Sequence, residues 1–223
     1  MTGQDREIRY IQKNSGYDPM THGMFSGQPT VSLKLSSSDS NAMNIKSLEK
    51  LMISYKWKKK LDSGYARLRI FGHDPLSEEH AEALEFLFDV IDPRFVDFEL
   101  EEEYITSVPS RAIQRKADTY TLFFDMTKDD EYDEEALEYL LENCTNHGSG
   151  QFMFKSDSSV HESEIREFAI EHRIHDSDIW VYPKGRKVST VKKNLETVEN
   201  YAKRNSWNVS PRTDVIHGFE EAE

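Results

Sequence analysis

The chain has a single cysteine, Cys144, among 223 residues, which leaves no internal disulfide and no multi-thiolate metal site. It has no run of about 18 apolar residues, the length a membrane-spanning helix needs. Its opening, MTGQDREIRYIQKN, has neither the apolar stretch nor the small-residue cleavage site of a secretory signal. There is no nucleophile elbow, no GxxxxGKS phosphate loop and no HExxH pair. No linker or internal repeat divides the chain, and its one low-complexity stretch is residues 36–40, SSSDS. Hydrophobic residues make up 37% and aromatics 11%, enough to fill a core, so a wholly disordered chain is excluded. The expectation is one soluble, cytoplasmic α/β domain spanning residues 1–223.

Basic charge is also scarce. Against 28 Lys and Arg stand 41 Asp and Glu, a formal charge of −13. Residues 74–103 hold 12 acids and one base, and residues 125–142 hold nine acids and one base. The rest of the chain is net positive, with basic residues gathered at Lys56, Lys58, Lys59 and Lys60 and again at Lys184, Arg186, Lys187, Lys192 and Lys193. The acidic excess argues against general nucleic-acid binding, and the polarity suits a protein partner with a basic surface. The plainer reading is that both acidic runs are solvated faces, since charge runs usually keep proteins soluble.

Apolar residues alternate at Val31, Leu33 and Leu35 and at Ala66, Leu68 and Ile70, the period of a strand. Further strands are predicted at residues 95–100, 119–125, 151–155, 178–182 and 213–217. Between them, apolar residues fall three and four apart: Leu48, Leu51, Met52 and Tyr55; Leu84, Leu87, Phe88 and Ile91; Leu137, Leu140 and Leu141; Ile165, Phe168 and Ala169; Val191, Leu195, Val198 and Ala202. That spacing lines one face of a helix. Ser77, followed by Glu78 and Glu79, is a predicted N-cap. Residues 101–118 show no helix. Strands alternating with helices predict a mainly parallel sheet with helices outside, open or partly closed as a barrel. Ligands in such folds sit at the carboxyl ends of the strands, here residues 36–41, 71–75, 99–103, 125–128 and 183–185.

Several segments, in order along the chain, resemble one family. Residues 11–16, IQKNSG, and 25–35, FSGQPTVSLKL, resemble the opening of 7-carboxy-7-deazaguanine synthases, approximately IQGEG, a spacer, then GxPxxFIRLxGCNLxCxWCDT. Phe71-Gly72-His73-Asp74-Pro75-Leu76 is similar to the family's TGGEPL, and Phe98-Glu99-Leu100-Glu101 falls at its ETNG strand end. Tyr182-Pro183-Lys184-Gly185 is similar to MPEG, and residues 207–215, WNVSPRTDV, to W-x-x-SPRLHV. The resemblance implies a partial (β/α) barrel of the radical S-adenosylmethionine type. It also implies a [4Fe–4S] cluster, S-adenosylmethionine and Mg²⁺ as cofactors, and homodimers.

The departures fall at the chemistry. Aligned on Gly27 and Pro29, the three cluster cysteines correspond to Ser38, Ala42 and Ile45. Iron–sulfur clusters need thiolates, and alanine and isoleucine cannot ligate at all. The family's Asp-Thr becomes Lys46-Ser47, and an ammonium at Lys46 opposes a cation there. The GGEP loop becomes Gly72-His73-Asp74-Pro75, one glycine gaining an imidazole. The arginine that meets the substrate carboxylate becomes Lys34, which keeps the charge without the bidentate fork. The glutamate of IQGEG is missing after Gln12, and the histidine of SPRLHV is Asp214. What is retained, including Gly27, Pro29, Gly72, Pro75, Pro183, Gly185, Pro211 and Arg212, mostly shapes turns.

The expectation is therefore no catalytic residue, no cofactor and no metal: a pseudoenzyme that binds a basic protein partner through its acidic segments, residues 74–103 and 129–135. Two alternatives stay open. One is an enzyme or ligand-binding protein of queuosine and 7-deazaguanine biosynthesis, whose pocket would use Gln12, Lys34, Ser47, Gly72, His73, Asp74, Glu99, Pro183 and Arg212. The other is a structural subunit of a larger, even viral, assembly. In the plainer reading of the pocket, Lys34 and Arg212 meet carboxylates such as Glu99. Residues 172–178, HRIHDSD, hold two imidazoles and two carboxylates within reach of zinc, yet they fall where a helix ends, which favours a solvated terminus. Lys56–Lys60 reads as the solvated end of the helix beginning near Ile45.

Overall fold

The computed structural model of the protein describes residues 16–20, 22–35, 45–54, 56–126, 132–147 and 150–212. Its elements are β1 (Gly16–Pro19), β2 (Pro29–Leu35), α1 (Ile45–Ser54), α2 (Trp57–Asp62), β3 (Arg67–Gly72), α3 (Glu78–Ile91), β4 (Val96–Glu101) and α4 (Arg111–Lys116). After these come β5 (Thr119–Asp125), α5 (Glu134–His147), β6 (Gly150–Ser156), α6 (His161–Glu171), β7 (Ile179–Pro183), α7 (Val188–Asn205) and β8 (Asn208–Val209). All eight strands form one sheet in the order of the chain. β1 runs antiparallel to β2, and β2 through β8 are parallel.

Strictly sequential order has a geometric consequence. Each parallel crossover is right-handed, so successive crossovers in one direction put every helix on the same face of the sheet. The sheet curls away from that face into a partial barrel with the helices outside. Among the described residues, β8 does not pair with β1, so the barrel stays open.

The core lies between the outer face of the sheet and the helices. Val31, Leu33 and Leu35 of β2, Leu68 and Ile70 of β3, Val96, Phe98 and Leu100 of β4, and Phe152 and Phe154 of β6 form one buried cluster with Met52, Leu84, Leu87, Leu140 and Ile165 of the helices. Burying one such side chain contributes roughly 1.5–3 kcal/mol. Strand and helix periods therefore agree on a single face, as the sequence predicts.

Four local features differ from the sequence expectation. β1 has only the four residues Gly-Tyr-Asp-Pro and no apolar alternation to announce it. α4 lies inside residues 101–118; it is six residues long with Ile113 as its one buried residue, too little to produce a helical period. Ser110 caps it, its hydroxyl accepting from the Ile113 amide at 3.4 Å, whereas Ser77 occupies the N-cap position of α3 without a side-chain cap bond. The helix from Ile45 does not run on through the lysines. Lys56 adopts a left-handed φ of 59°, α2 begins at Trp57, and Trp57 is buried in the core. Lys58 donates to the Val90 carbonyl near the end of α3, so this run holds two helices together rather than only fraying into water. The last described strand is β8, at Asn208–Val209; the strand predicted at 213–217 lies outside the described residues.

Candidate functional site

The side chains that alternate with the core residues point into the barrel, and they are mostly charged or polar. Arg67 pairs with Asp97 through two bonds of 2.5 Å, and Arg69 pairs with Glu99 at 2.7 Å. Arg69 stands opposite Asp97 in the strand register, so both pairs run diagonally across β3 and β4, two residues onward. Phe25 lies 3.8 Å from the Arg67 guanidinium and Phe71 3.9 Å from that of Arg69, each covering a cationic face.

Glu99 has a second partner in His22, whose Nε2 lies 2.9 Å from its other carboxylate oxygen. Burial alone would raise the Glu99 pKa, but the Arg69 and His22 charges outweigh it and hold the group at about 2. Asp97 goes the other way: burial pushes its carboxyl up, and Arg67 only partly opposes it. Two carboxylates two residues apart are thus driven in opposite directions by the number of cations each meets.

His22 belongs to the β1–β2 connection, and this connection enters the barrel. The His22 ring meets the Phe123 ring edge-on at 5.3 Å. Gln151 receives the Met24 amide at 2.8 Å on its oxygen and donates to the Thr121 hydroxyl at 2.9 Å. Gly23 has a φ of 62°, which side-chain-bearing residues rarely adopt, and a Cβ there would stand 2.3 Å from the Gln151 oxygen, so glycine suits this turn. Above this plug, at the carboxyl ends of the strands, a cavity of about 200 Å³ is lined by His22, Glu101, Phe123, Met153, Lys155, Tyr182 and Arg212. Pockets for small organic ligands run roughly 300–1,000 Å³. Lys155 pairs with Asp125 at 2.8 Å. Tyr182 is a buried phenol whose pKa burial raises, with Arg212 acting against that rise. This is a charged, internally compensated lining.

The residues singled out from sequence divide among several places. Arg212 lines the cavity, and Glu99 lies beneath it through His22. The two short ion pairs of Glu99 are with Arg69 and His22, rather than the Lys34 and Arg212 of the plainer sequence reading. Lys34 is half-buried on β2, opposite Phe71. Gly72 has a φ of 104°, and a Cβ there would stand 2.4 Å from the Leu35 carbonyl oxygen, so its close backbone approach is real. The next residues are tied down locally. The His73 ring meets Tyr104 at 4.9 Å, the Thr106 hydroxyl donates to Asp74 at 2.9 Å, and the His80 ring bonds the His73 carbonyl at 3.2 Å. Pro183 is buried at the end of β7, and Ser47 is exposed in the first turn of α1. Gln12, Ser38 and Ala42 lie outside the described residues, and Ile45 is the first residue of α1.

Two metal questions can be put to these residues. The donor set that the resemblance assigns to a [4Fe–4S] cluster, namely Ser38, Ala42 and Ile45, does not fit one, because none is a thiolate. Cys144 faces the core of α5, 1% exposed, and burial pushes its thiol pKa up. Residues 172–178 do not converge on a point: the His172 ring packs on Phe168 at 4.4 Å, and Asp176 accepts the Trp207 indole at 2.9 Å. Among the described residues, no group of three or more His, Cys, Asp or Glu could hold a metal ion. His22, Arg69, Lys155 and Tyr182 were not reached from sequence. A signal existed in the alternation Arg67-x-Arg69 followed by Asp97-x-Glu99-x-Glu101 on the next strand.

An antiparallel edge strand followed by seven parallel strands in sequential order, with a polar interior and helices outside, defines an α/β partial barrel. Among solved structures, the chain is similar to the crystal structure of QueE from Escherichia coli, with a TM-score of 0.56, covering 90% of this chain and 92% of that chain. Sequence identity over this match is 12%, so the likeness is one of fold. No family model matches the sequence, and no curated protein does.

Proposed function

We propose that the protein keeps this scaffold without its cluster chemistry and works by binding a basic protein partner through an acidic surface. The observation that carries the reading is the commitment of the barrel interior to itself. Glu99 is paired with both Arg69 and His22, Lys155 with Asp125, and the β1–β2 connection occupies the space below. The missing cysteine ligands point the same way.

Among the described residues, the acids that stand out in the sequence do not form one face; residues 129–131 of the second segment lie outside the described residues. Asp97 and Glu99 turn inward, Glu102 is buried, and Asp92 pairs with Lys116 at 2.8 Å. On α3, Glu78, Glu82, Glu85 and Asp89 are exposed at helical spacing, and a separate set lies on α5 and α6. Reconstituting the purified protein anaerobically with iron and sulfide should give no stoichiometric cluster by iron analysis and absorption. A full cluster together with cleavage of S-adenosylmethionine would overturn the reading.

A further inference from the structure

A groove of about 770 Å³ opens on the outside of the barrel between α5 and α6, over strands β5 and β6. On its floor the half-buried Phe168 packs on the buried Phe124 and Phe154 at 4.9 and 5.7 Å, and Met126 and Tyr132, also half-buried, complete the apolar lining. Its walls are acidic, with Glu134 and Glu138 on α5 and Glu164, Glu167 and Glu171 on α6. Among the described residues, none of these five carboxylates has an ion-pair partner.

The charges on α6 are sorted by face. Glu162 pairs with Arg204 and receives an Asn205 amide at 2.8 Å, on the side toward α7. Arg166, the one Lys or Arg of α6, lies over the Trp207 ring at 5.9 Å. α5 carries no Lys or Arg at all. The fold leaves like charges three and four residues apart along both walls, an arrangement that weakens a helix. Glu171 also ends α6, where the carbonyl dipole disfavours an anion. Local rules broken together around an apolar floor are the mark of a site whose compensation comes from outside.

We infer that this groove receives a basic amphipathic helix from a partner protein, an apolar residue of the helix seated on Phe168, Met126 and Tyr132 and its lysines or arginines meeting the glutamates of both walls. A helix fits because it sets cations on both sides of one apolar stripe, as the groove sets carboxylates on both sides of its floor. The inference rests on the partner-binding reading above and names its surface.

The test uses the full chain and a fluorescent peptide of about 18 residues, five helical turns. The peptide carries leucine and phenylalanine on one face and lysines flanking that face. It should bind by fluorescence anisotropy, more weakly as salt rises. A scrambled peptide of the same composition should bind about tenfold more weakly. So should the wild-type peptide on the variant E134Q/E138Q/E164Q/E167Q/E171Q, which removes only surface charge and should keep the circular dichroism of the parent. Equal binding of the scrambled peptide, or no effect of the five substitutions, overturns the inference. If E78Q/E82Q/E85Q/D89N on α3 abolishes binding instead, the acidic-surface reading stands and the groove is wrong. If neither variant matters, both fail. Displacement of the probe by a peptide of residues 1–15 would give the groove to the chain's own segment. A halved mass of the five-glutamine variant in light scattering would give it to a second copy.

Discussion

Glu99 is the residue on which the interior turns. It is 5% exposed and meets two partners, Arg69 from the neighbouring strand and His22 from a turn 77 residues earlier. Glu99→Gln would leave the half-buried Arg69 beside a neutral amide, and loss of one partner of a buried pair costs up to about 3–5 kcal/mol. Urea unfolding at pH 7 should show a loss of that order. The pH dependence follows from the same geometry. The Glu99 carboxyl lies near 4.5 when unfolded and at about 2 when folded. Its contribution is therefore complete above about pH 4.5 and is lost as pH falls through 2. The wild-type protein should lose stability across that window, and the E99Q variant should have a flatter acid limb. An unchanged slope in the variant would assign the acid sensitivity elsewhere. Asp97, pushed up by burial, works in the opposite sense and blunts the effect without reversing it at Glu99.

At the scale of elements, the two serine caps separate appearance from use. Ser77 precedes two glutamates and looks like a cap, yet it makes no side-chain cap bond. Ser110 precedes arginine, alanine and isoleucine and does cap α4. Ser110→Ala should cost about 1 kcal/mol in thermal or urea unfolding, and Ser77→Ala less than about 0.5 kcal/mol. Equal costs would mean that α4 is held by Ile113 packing alone. The long helices and strands were legible because their apolar residues recur with an unbroken period over several turns. β1 and α4 were not, because one buried residue in six, or a Gly-Tyr-Asp-Pro tetrapeptide, carries no period. The break at Lys56 was hidden for another reason. A left-handed lysine is a cost that only the burial of Trp57 on the far side offsets, and burial is a tertiary fact.

The whole molecule carries −13, and thirteen of its 41 acids lie on α3, α5 and α6. Self-repulsion of this kind weakens with screening. The melting temperature at neutral pH should therefore rise with added salt, and rise less in the five-glutamine variant, by scanning calorimetry. An unchanged salt response in that variant would mean that its wall carboxylates repel no more than others. The same uneven charge gives the proposed partner its chemistry. The cations at Lys184, Arg186 and Lys187 follow β7, whereas the five wall glutamates lie on α5 and α6.

The alternating periods by themselves determined the α/β class, the mainly parallel sheet and the apolar faces of the long helices and strands, since these need only the spacing of apolar side chains. The missing thiolates likewise followed from sequence alone, since no fold gives a donor atom to alanine or isoleucine. Tertiary structure decided the rest. Whether Arg69 meets Asp97 or Glu99 depends on the diagonal between strands, which the curl of the barrel sets. Whether His22 belongs to that pair depends on a turn entering the barrel past Gly23. The acidic runs show the same division. Their total is written in the sequence, but the fold consumes Asp97, Glu99 and Glu102 inside and sets Glu134 and Glu138 of α5 across a groove from Glu164, Glu167 and Glu171 of α6, which lie outside both runs. That partition exists only once α5 and α6, which flank β6 in the chain, are packed side by side on one sheet.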